Sequence, residues 1–266
     1  MKNKLWLMIV CSTLLAAAAS GQNASATGTN TDSAETCVRK GTELINHQKP
    51  GEALKAFERA SALQPDNEQA AVGQYISLVQ LNRMNDGAKV LDQWVAVKAD
   101  DPRRWLCKAM AEAETDRPGE ALKSFEKLTE LQPNEGGNWV GKGEMLVAQK
   151  RDSDALKAFD KAIALNPKHE GAWNDRGGVL LRLGIYDEAI QSYDQSINLA
   201  PKWADSFYHR ACAYAGKGDK TNALADLKQA IEMQPSLKAE AVKEAGFKNL
   251  SSDPDFKKLL GMKPSS

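Results

Sequence analysis

Histidines, cysteines and glycine-rich loops are the features of this sequence that could support chemistry, and their spacing argues against it. None of the three histidines, His47, His169 and His209, is set with carboxylates or cysteines at metal-ligand spacing. Gly177 and Gly178 lie within a predicted helix rather than in a phosphate-cradling loop, and no nucleophile motif is present. The sequence therefore predicts no catalytic, cofactor-binding or metal-binding residue, and a protein that is not an enzyme.

Composition and charge remove further classes of partner. The chain has 266 residues, with 35 basic and 35 acidic side chains that leave no net formal charge. No overall electric field would therefore draw it to nucleic acid or to an anionic membrane. Its many alanine, leucine, lysine and glutamate residues are good helix formers and indicate a helical protein. We predict no nucleic-acid partner, and nothing in the sequence indicates a small-molecule substrate.

The N-terminus has the pattern of a targeting segment. Lys2 and Lys4 precede an apolar run from Leu5 to Ala19, and small and polar residues follow it. This order is typical of a secretory signal peptide, and the run falls short of the ~20 residues that a membrane span needs. We predict a signal peptide at 1–26, a disordered linker at 27–33, and an exported protein, periplasmic or secreted, that does not span the membrane after cleavage. A single membrane anchor is the alternative.

A spacing of 34 residues organises the rest of the sequence. Five positions recur at this period: Trp139 and Trp173, Gly143 and Gly177, Ala155 and Ala189, Phe159 and Tyr193, Pro167 and Pro201. Trp105 lies one period before Trp139. A proline cannot continue a helix, so each proline marks the end of the second helix of a hairpin. Small residues let the partner helix approach, and aromatic side chains fill the gap beside them. We predict that these residues serve packing between repeats.

This pattern resembles the tetratricopeptide repeat family, whose 34-residue repeats are pairs of antiparallel helices. The resemblance implies an all-α, right-handed α-solenoid of six helix pairs, followed by C-terminal capping helices and a tail at 238–266. The six repeats are 34–67, 68–101, 102–135, 136–169, 170–203 and 204–237. The second repeat lacks the closing proline, so we expect its second helix to be distorted or longer. After the last repeat we expect a helix over Lys238–Phe247 and a short helix capped by Ser252 or Asp253.

The resemblance also implies where a partner would bind, because in this family the first helices of the repeats line a concave groove. The matching groove positions include Val38, Thr42, Val72, Ile76, Leu106, Met110, Val140, Glu144, Asn174 and Tyr208. The groove is apolar over its first four repeats. The Lys, Arg and Asn residues with which some family members hold a C-terminal carboxylate are missing. We therefore predict a peptide or protein partner, bound by burial of apolar surface. Packing between helices is the alternative role for some of these residues.

These observations predict a non-catalytic protein-interaction scaffold of the cell envelope, without a cofactor. Two alternatives stay open. One is a structural assembly factor for envelope or secretion machinery, which would use its convex face or self-association. The other is an accessory subunit of an enzyme such as a glycosyltransferase. The repeats account for the chain after the linker, which leaves no room in it for a catalytic domain.

Overall fold

The computed structural model describes residues 33–262, and over this range the protein is built from helices that pair in sequence order. The predicted all-α class is confirmed. The predicted signal peptide at 1–26, the linker up to residue 32 and residues 263–266 lie outside the described range. None of the described helices combines the length and the apolar character that a membrane span needs. The chain divides into two compact units, here the N-terminal half, up to Gln132, and the C-terminal half, from Pro133.

In the N-terminal half, the described residues form three antiparallel helix pairs. They are α1 (Ala34–Asn46) with α2 (Pro50–Leu63), α3 (Glu68–Gln80) with α4 (Met84–Val97), and α5 (Pro102–Glu114) with α6 (Pro118–Leu131). Each first helix has 13 residues and each second helix 14. Phe57 and Leu91, from second helices, are fully buried in the core of this half.

The C-terminal half contains three further pairs and a cap, as far as it is described. The pairs are α7 (Gly136–Ala148) with α8 (Asp152–Leu165), α9 (Glu170–Arg182) with α10 (Tyr186–Leu199), and α11 (Ala204–Lys217) with α12 (Lys220–Met233). The cap consists of α13 (Leu237–Ala241), a 3₁₀-helix (Ala245–Leu250) and α14 (Pro254–Leu260). Phe247 and Phe256 of the cap are buried in one cluster with Phe207 and Leu227 of the last pair. The cap therefore covers the apolar side of α11 and α12.

Helix ends follow from local sequence signals. The second helices α2, α6, α8, α10 and α12 each end two residues before a proline of the 34-residue grid, as the ring and the missing N–H of proline require. Side chains cap several first helices: Asn67 Oδ1 accepts the Ala70 N–H at 2.9 Å, and His169 Nδ1 accepts the Ala172 N–H at 3.1 Å. These caps satisfy backbone donors that the helix itself leaves free.

The turn inside each helix pair has the same conformation in all six repeats. The 34-residue spacing did not predict this conformation. Gln48, Asn82, Asp116, Lys150, Gly184 and Gly218 all have φ between 57° and 88°, and they are 34 residues apart. The N–H of the next residue donates to a carbonyl five residues back, as in Arg151 to Leu146 at 2.9 Å. This is the Schellman ending of a helix, in which the left-handed position favours glycine. In four of the six turns it is occupied by another residue.

Small residues of first helices pack on aromatic rings of second helices. A Cβ atom built on Gly143 would lie 2.6 Å from Cε1 of Phe159, and one on Gly177 would lie 2.8 Å from Cε1 of Tyr193. Ala155 is fully buried in the same pair as Phe159, and Ala189 in the same pair as Tyr193. The approach of the two helices therefore depends on the absence of a side chain at these glycines.

The tryptophans that recur at the 34-residue period are half-buried rather than fully buried. Each indole N–H donates to a backbone carbonyl six residues earlier: Trp105 to Ala99 at 2.8 Å, Trp139 to Pro133 at 3.0 Å and Trp173 to Pro167 at 3.0 Å. The indole thus ties the start of a first helix to the turn before it. Pro201 occupies the turn position equivalent to Pro167, but no tryptophan follows it at the grid position, which is Phe207.

Two expectations about helix length are wrong in part. In the second repeat, α4 has the same 14 residues as the other second helices, so it is not longer. Its departure is confined to the last turn, where the Lys98 N–H donates to Val95, three residues back. The expected helix over Lys238–Phe247 is broken after Ala241, because Phe247 and Leu250 turn inward to pack on the last pair. The cap at Asp253 is confirmed: its Oδ1 accepts the N–H groups of Asp255 and Phe256.

Candidate functional site

The first helices of the N-terminal half bury three of the six predicted groove residues that they carry. Val38, Val72 and Ile76 are at most 7% exposed. Val72 and Ile76 belong to one cluster with Leu91 of α4. The half-buried Thr42 donates its hydroxyl proton to the Val38 carbonyl at 3.0 Å. These side chains therefore hold helices together, which is the packing role that the sequence left open, and contact with a partner stays a prediction.

Leu106 and Met110 of α5 are more accessible. Leu106 is 40% exposed and Met110, one turn later, is half-buried. The other large hydrophobic residues that are exposed within residues 33–262 lie at helix ends or in turns; Leu106 is inside a helix. Solvent-facing apolar surface at two positions of one helix face is suited to contact with another apolar side chain.

In the C-terminal half, three of the four predicted groove residues are buried. Val140, Asn174 and Tyr208 are at most 8% exposed. Asn174 Oδ1 accepts a hydrogen bond from Ser206 Oγ at 3.1 Å, and the Tyr208 ring packs edge-on against Phe247, with centroids 5.6 Å apart. Glu144, the fourth, remains exposed.

Glu144 and Asp175 form an acidic pair on neighbouring first helices, α7 and α9. Burial among surrounding protein atoms, and then the charge of Asp175, raises the pKa of the Glu144 carboxyl to about 7, although part of its side chain still contacts solvent. Burial also raises the pKa of Asp175, against the opposing effects of a hydrogen bond from Asn174 and the charge of His169. Neither carboxylate has a salt-bridge partner within residues 33–262. Both are therefore poorly compensated as anions.

Three buried polar atoms of the C-terminal half have no hydrogen-bond partner among the described residues: Tyr193 Oη, Tyr208 Oη and His209 Nδ1. The ring of His209 lies between the two tyrosines, with centroid distances of 6.0 Å to Tyr193 and 5.7 Å to Tyr208. Desolvation lowers the pKa of His209 and raises that of Tyr193. Each such atom costs ~1–3 kcal/mol when it is left unsatisfied. The three unpartnered atoms therefore destabilise the folded state, and apolar packing gives no reason for their presence.

Two arginines of the same half already have acidic partners. Arg210 of α11 binds Asp194 at 2.5 Å and Asp226 at 2.7 Å. One period earlier, Arg176 of α9 binds Asp160 at 2.7 Å. The positive charges of Arg210 and Arg176 are neutralised by these partners. They therefore do not compensate the negative charges of Glu144 and Asp175.

The described residues contain no group of three or more His, Cys, Asp or Glu side chains that could hold a metal. Cys37 and Cys212 are buried thiols. Desolvation raises the pKa of the Cys212 thiol, which keeps it protonated and a poor nucleophile.

Sequence reasoning missed Asp175, Tyr193 and His209 as members of a possible site. The sequence predicts a packing role for Tyr193, and it predicts no binding role for Asp175 or His209. The available signal was the hydroxyl of Tyr193, because the equivalent second-helix position holds Phe57, Phe125 and Phe159 in other repeats.

Sequence models of the tetratricopeptide repeat match residues 38–104, 106–170 and 146–204, and a second such model matches 204–237. Comparison with curated protein sequences found no match. Solved structures with a similar fold include YrrB, described as a tetratricopeptide repeat protein with an unusual peptide-binding site, at 23% identity and a TM-score of 0.54. The similarity covers 70% of this chain and 98% of YrrB.

Two further solved structures have a similar fold. MamA is 21% identical with a TM-score of 0.55, over 62% of this chain and 96% of MamA. The pilF protein of Pseudomonas aeruginosa is 16% identical with a TM-score of 0.56, over 78% of this chain and 97% of that protein. At these identities the likeness concerns the fold alone.

Proposed function

Because the chain belongs to the tetratricopeptide repeat family, we propose that it is a non-catalytic scaffold that binds a peptide or protein segment on the faces of its first helices. Repeats of this family are generally protein-binding scaffolds. The similar structure of YrrB is described as having a peptide-binding site, which is consistent with this use of the fold. The proposal includes an apolar contact at α5 as one anchor of the bound segment.

The observation that carries this proposal is the exposure of Leu106 inside α5, beside the half-buried Met110. Val72 and Ile76, the equivalent positions of α3, are buried. At these two positions the third repeat therefore exposes apolar surface to solvent, whereas the second repeat buries it between helices. A leucine or aromatic side chain of a bound segment would remove this surface from water, and the flexible thioether of Met110 would adapt to its shape.

Selection of random peptides displayed on phage against the full chain tests the proposal. Leu106→Asp is expected to raise the Kd of the selected peptides ~10- to 100-fold. The reason is that burial of a leucine contributes ~1.5–3 kcal/mol and each ~1.4 kcal/mol is tenfold in Kd. Leu63→Asp is the matched control, because Leu63 is also exposed but lies at the end of α2. Equal Kd values for the two variants, measured by fluorescence anisotropy, would refute an anchor at α5.

We further propose that the scaffold acts after export, in the periplasm or outside the cell. Lys2 and Lys4 before the apolar run Leu5–Ala19 support this location. Mass spectrometry of the protein from an envelope or culture fraction should give an N-terminus just after Ser20 or Ala26. A chain in that fraction, or in the cytoplasm, that still begins at Met1 would contradict cleavage.

A further inference from the structure

Tyr193 has a hydroxyl group that the packing of its repeat does not require. The side chain is 0% exposed, and its Oη atom has no hydrogen-bond partner among the described residues. At the equivalent position one repeat earlier, Phe159 fills the same place against Gly143 without a hydroxyl. A buried hydroxyl without a partner is destabilising. Its presence here is explained if a ligand supplies the missing hydrogen bond.

The Tyr193 hydroxyl lies beside Gly178, a position of α9 that carries no side chain. A Cβ atom on Gly178 would have one atom within 4 Å, Tyr193 Oη at 3.8 Å, outside the atoms of its own helix. Gly178 is half-buried, and it is not in contact with the ring as Gly177 is. Glu144 lies one period before Gly178, at the same position of the neighbouring first helix. Glu144 on α7 therefore corresponds in position to Gly178, the residue of α9 that lies beside the Tyr193 hydroxyl.

Near Tyr193 the charge of Asp175 is not neutralised by a salt bridge among the described residues, and neither is that of Glu144, which Asp175 influences. Asp175 is close enough to raise the pKa of both Glu144 and Tyr193. The charge of His169 has the opposite effect on Asp175, because it lowers the pKa of that carboxyl. The charge of Arg182 lowers the pKa of Tyr193. However, the Arg182 guanidinium donates hydrogen bonds to the two carboxylate oxygens of Asp152, at 2.6 and 3.2 Å. An anionic ligand would therefore meet two carboxylates, whereas a cation would be attracted by both.

We propose that Glu144, Asp175 and Tyr193 form a subsite that binds a basic side chain, lysine or arginine, of the segment held by the scaffold. The carboxylates of Glu144 and Asp175 accept hydrogen bonds from the ammonium or guanidinium group, and Tyr193 Oη accepts a further one. This inference rests on the proposed function, and it adds a requirement for positive charge in the partner.

The subsite also makes binding depend on pH. Glu144 must lose its proton to act as an anion, and burial together with Asp175 opposes that loss. Affinity for a basic peptide should therefore rise as the pH increases from about 5 to about 8, through the pKa of Glu144 near 7. The groups that face this carboxyl from neighbouring helices are Asp175, and through it His169.

The test uses phage-displayed random peptides selected on the full chain, followed by Kd measurements with synthetic copies of the selected peptides. Selected peptides should share a lysine or arginine at a fixed position, and replacing it by alanine should weaken binding about tenfold or more. Glu144→Gln and Asp175→Asn should cause similar losses and flatten the pH dependence. Tyr193→Phe should weaken binding several-fold while preserving the fold, because Phe159 occupies the equivalent place. Glu170→Gln, an exposed acid at the start of α9, is the matched control and should leave Kd unchanged.

The possible results are distinct. Selected peptides that depend on Leu106 but share no basic residue would overturn the subsite and leave the proposed function intact. Equal effects of Glu144→Gln and Glu170→Gln on Kd would also overturn the subsite. If no peptide binds in a way that depends on either surface, both the scaffold proposal and the subsite fail.

Discussion

The contact between Gly143 and Phe159 allows a quantitative test of how the helix pairs are held together. Gly143→Ala adds one methyl group to α7, and its carbon would lie 2.6 to 2.9 Å from three atoms of the Phe159 ring. Ordinary carbon contacts are ~3.5–4.0 Å. The ring is fully buried, so it has no solvent-filled space into which to move. Either the ring or the whole of α7 must therefore shift by about 1 Å.

Two opposing effects determine the magnitude. Alanine is favoured over glycine inside a helix by ~0.8–1.0 kcal/mol, whereas overpacking costs ~1–3 kcal/mol. The second effect is larger, so Gly143→Ala should lower the free energy of unfolding by about 1 kcal/mol. Gly119→Ala is the control, because no atom lies within 4 Å of a Cβ at Gly119. It should raise the free energy of unfolding by ~0.4–1 kcal/mol.

A double-mutant cycle isolates the contact. Phe159→Leu removes the ring atoms that clash, so the loss caused by Gly143→Ala should shrink by ~1 kcal/mol or more in the Phe159→Leu background. Urea denaturation followed by circular dichroism supplies the four free energies. Additive effects of the two substitutions, or stabilisation by Gly143→Ala equal to that at Gly119, would refute the packing argument.

Two further predictions concern single positions. Lys150→Gly should stabilise the protein by about 0.5 kcal/mol, because the left-handed conformation at φ 59° costs a residue with a side chain ~1–2 kcal/mol and glycine loses ~0.5–1 kcal/mol of entropy. Gly184→Ala should do the reverse in thermal denaturation, and two changes of the same sign would show that the turns are not equivalent. The raised pKa of Glu144 gives stability that is present below its usual value of 4.5 and is lost as the pH rises through about 7. Glu144→Gln should therefore gain stability relative to the original protein between these pH values in denaturation measured across that range, and a constant difference would contradict the shift.

The sequence by itself determined the helix pairs and the ends of five second helices, because the signals for them are local. A proline two residues after a helix acts through its own ring and missing N–H, as at Pro167 and Pro201. The glycine and aromatic pairs, such as Gly143 with Phe159, could also be identified, since the 34-residue period brings equivalent positions into equivalent contacts. Less could be predicted where the residue type varies along the period, as at the left-handed turn position, which holds glycine in two repeats and a residue with a side chain, such as Lys150, in four.

Only the tertiary structure decided which of the predicted groove residues reach solvent and which polar atoms lack partners. Ile76 and Met110 occupy the same position of successive repeats, yet the first is buried and the second is half-buried. Their exposure depends on how closely neighbouring helices pack, which a residue type does not specify. The same holds for Tyr193, because a hydroxyl is satisfied or unsatisfied according to the atoms that other helices bring near it. The repeat pattern is a property of the chain, whereas the grouping of Glu144, Asp175 and Tyr193 arises only when the three helices that carry them pack together.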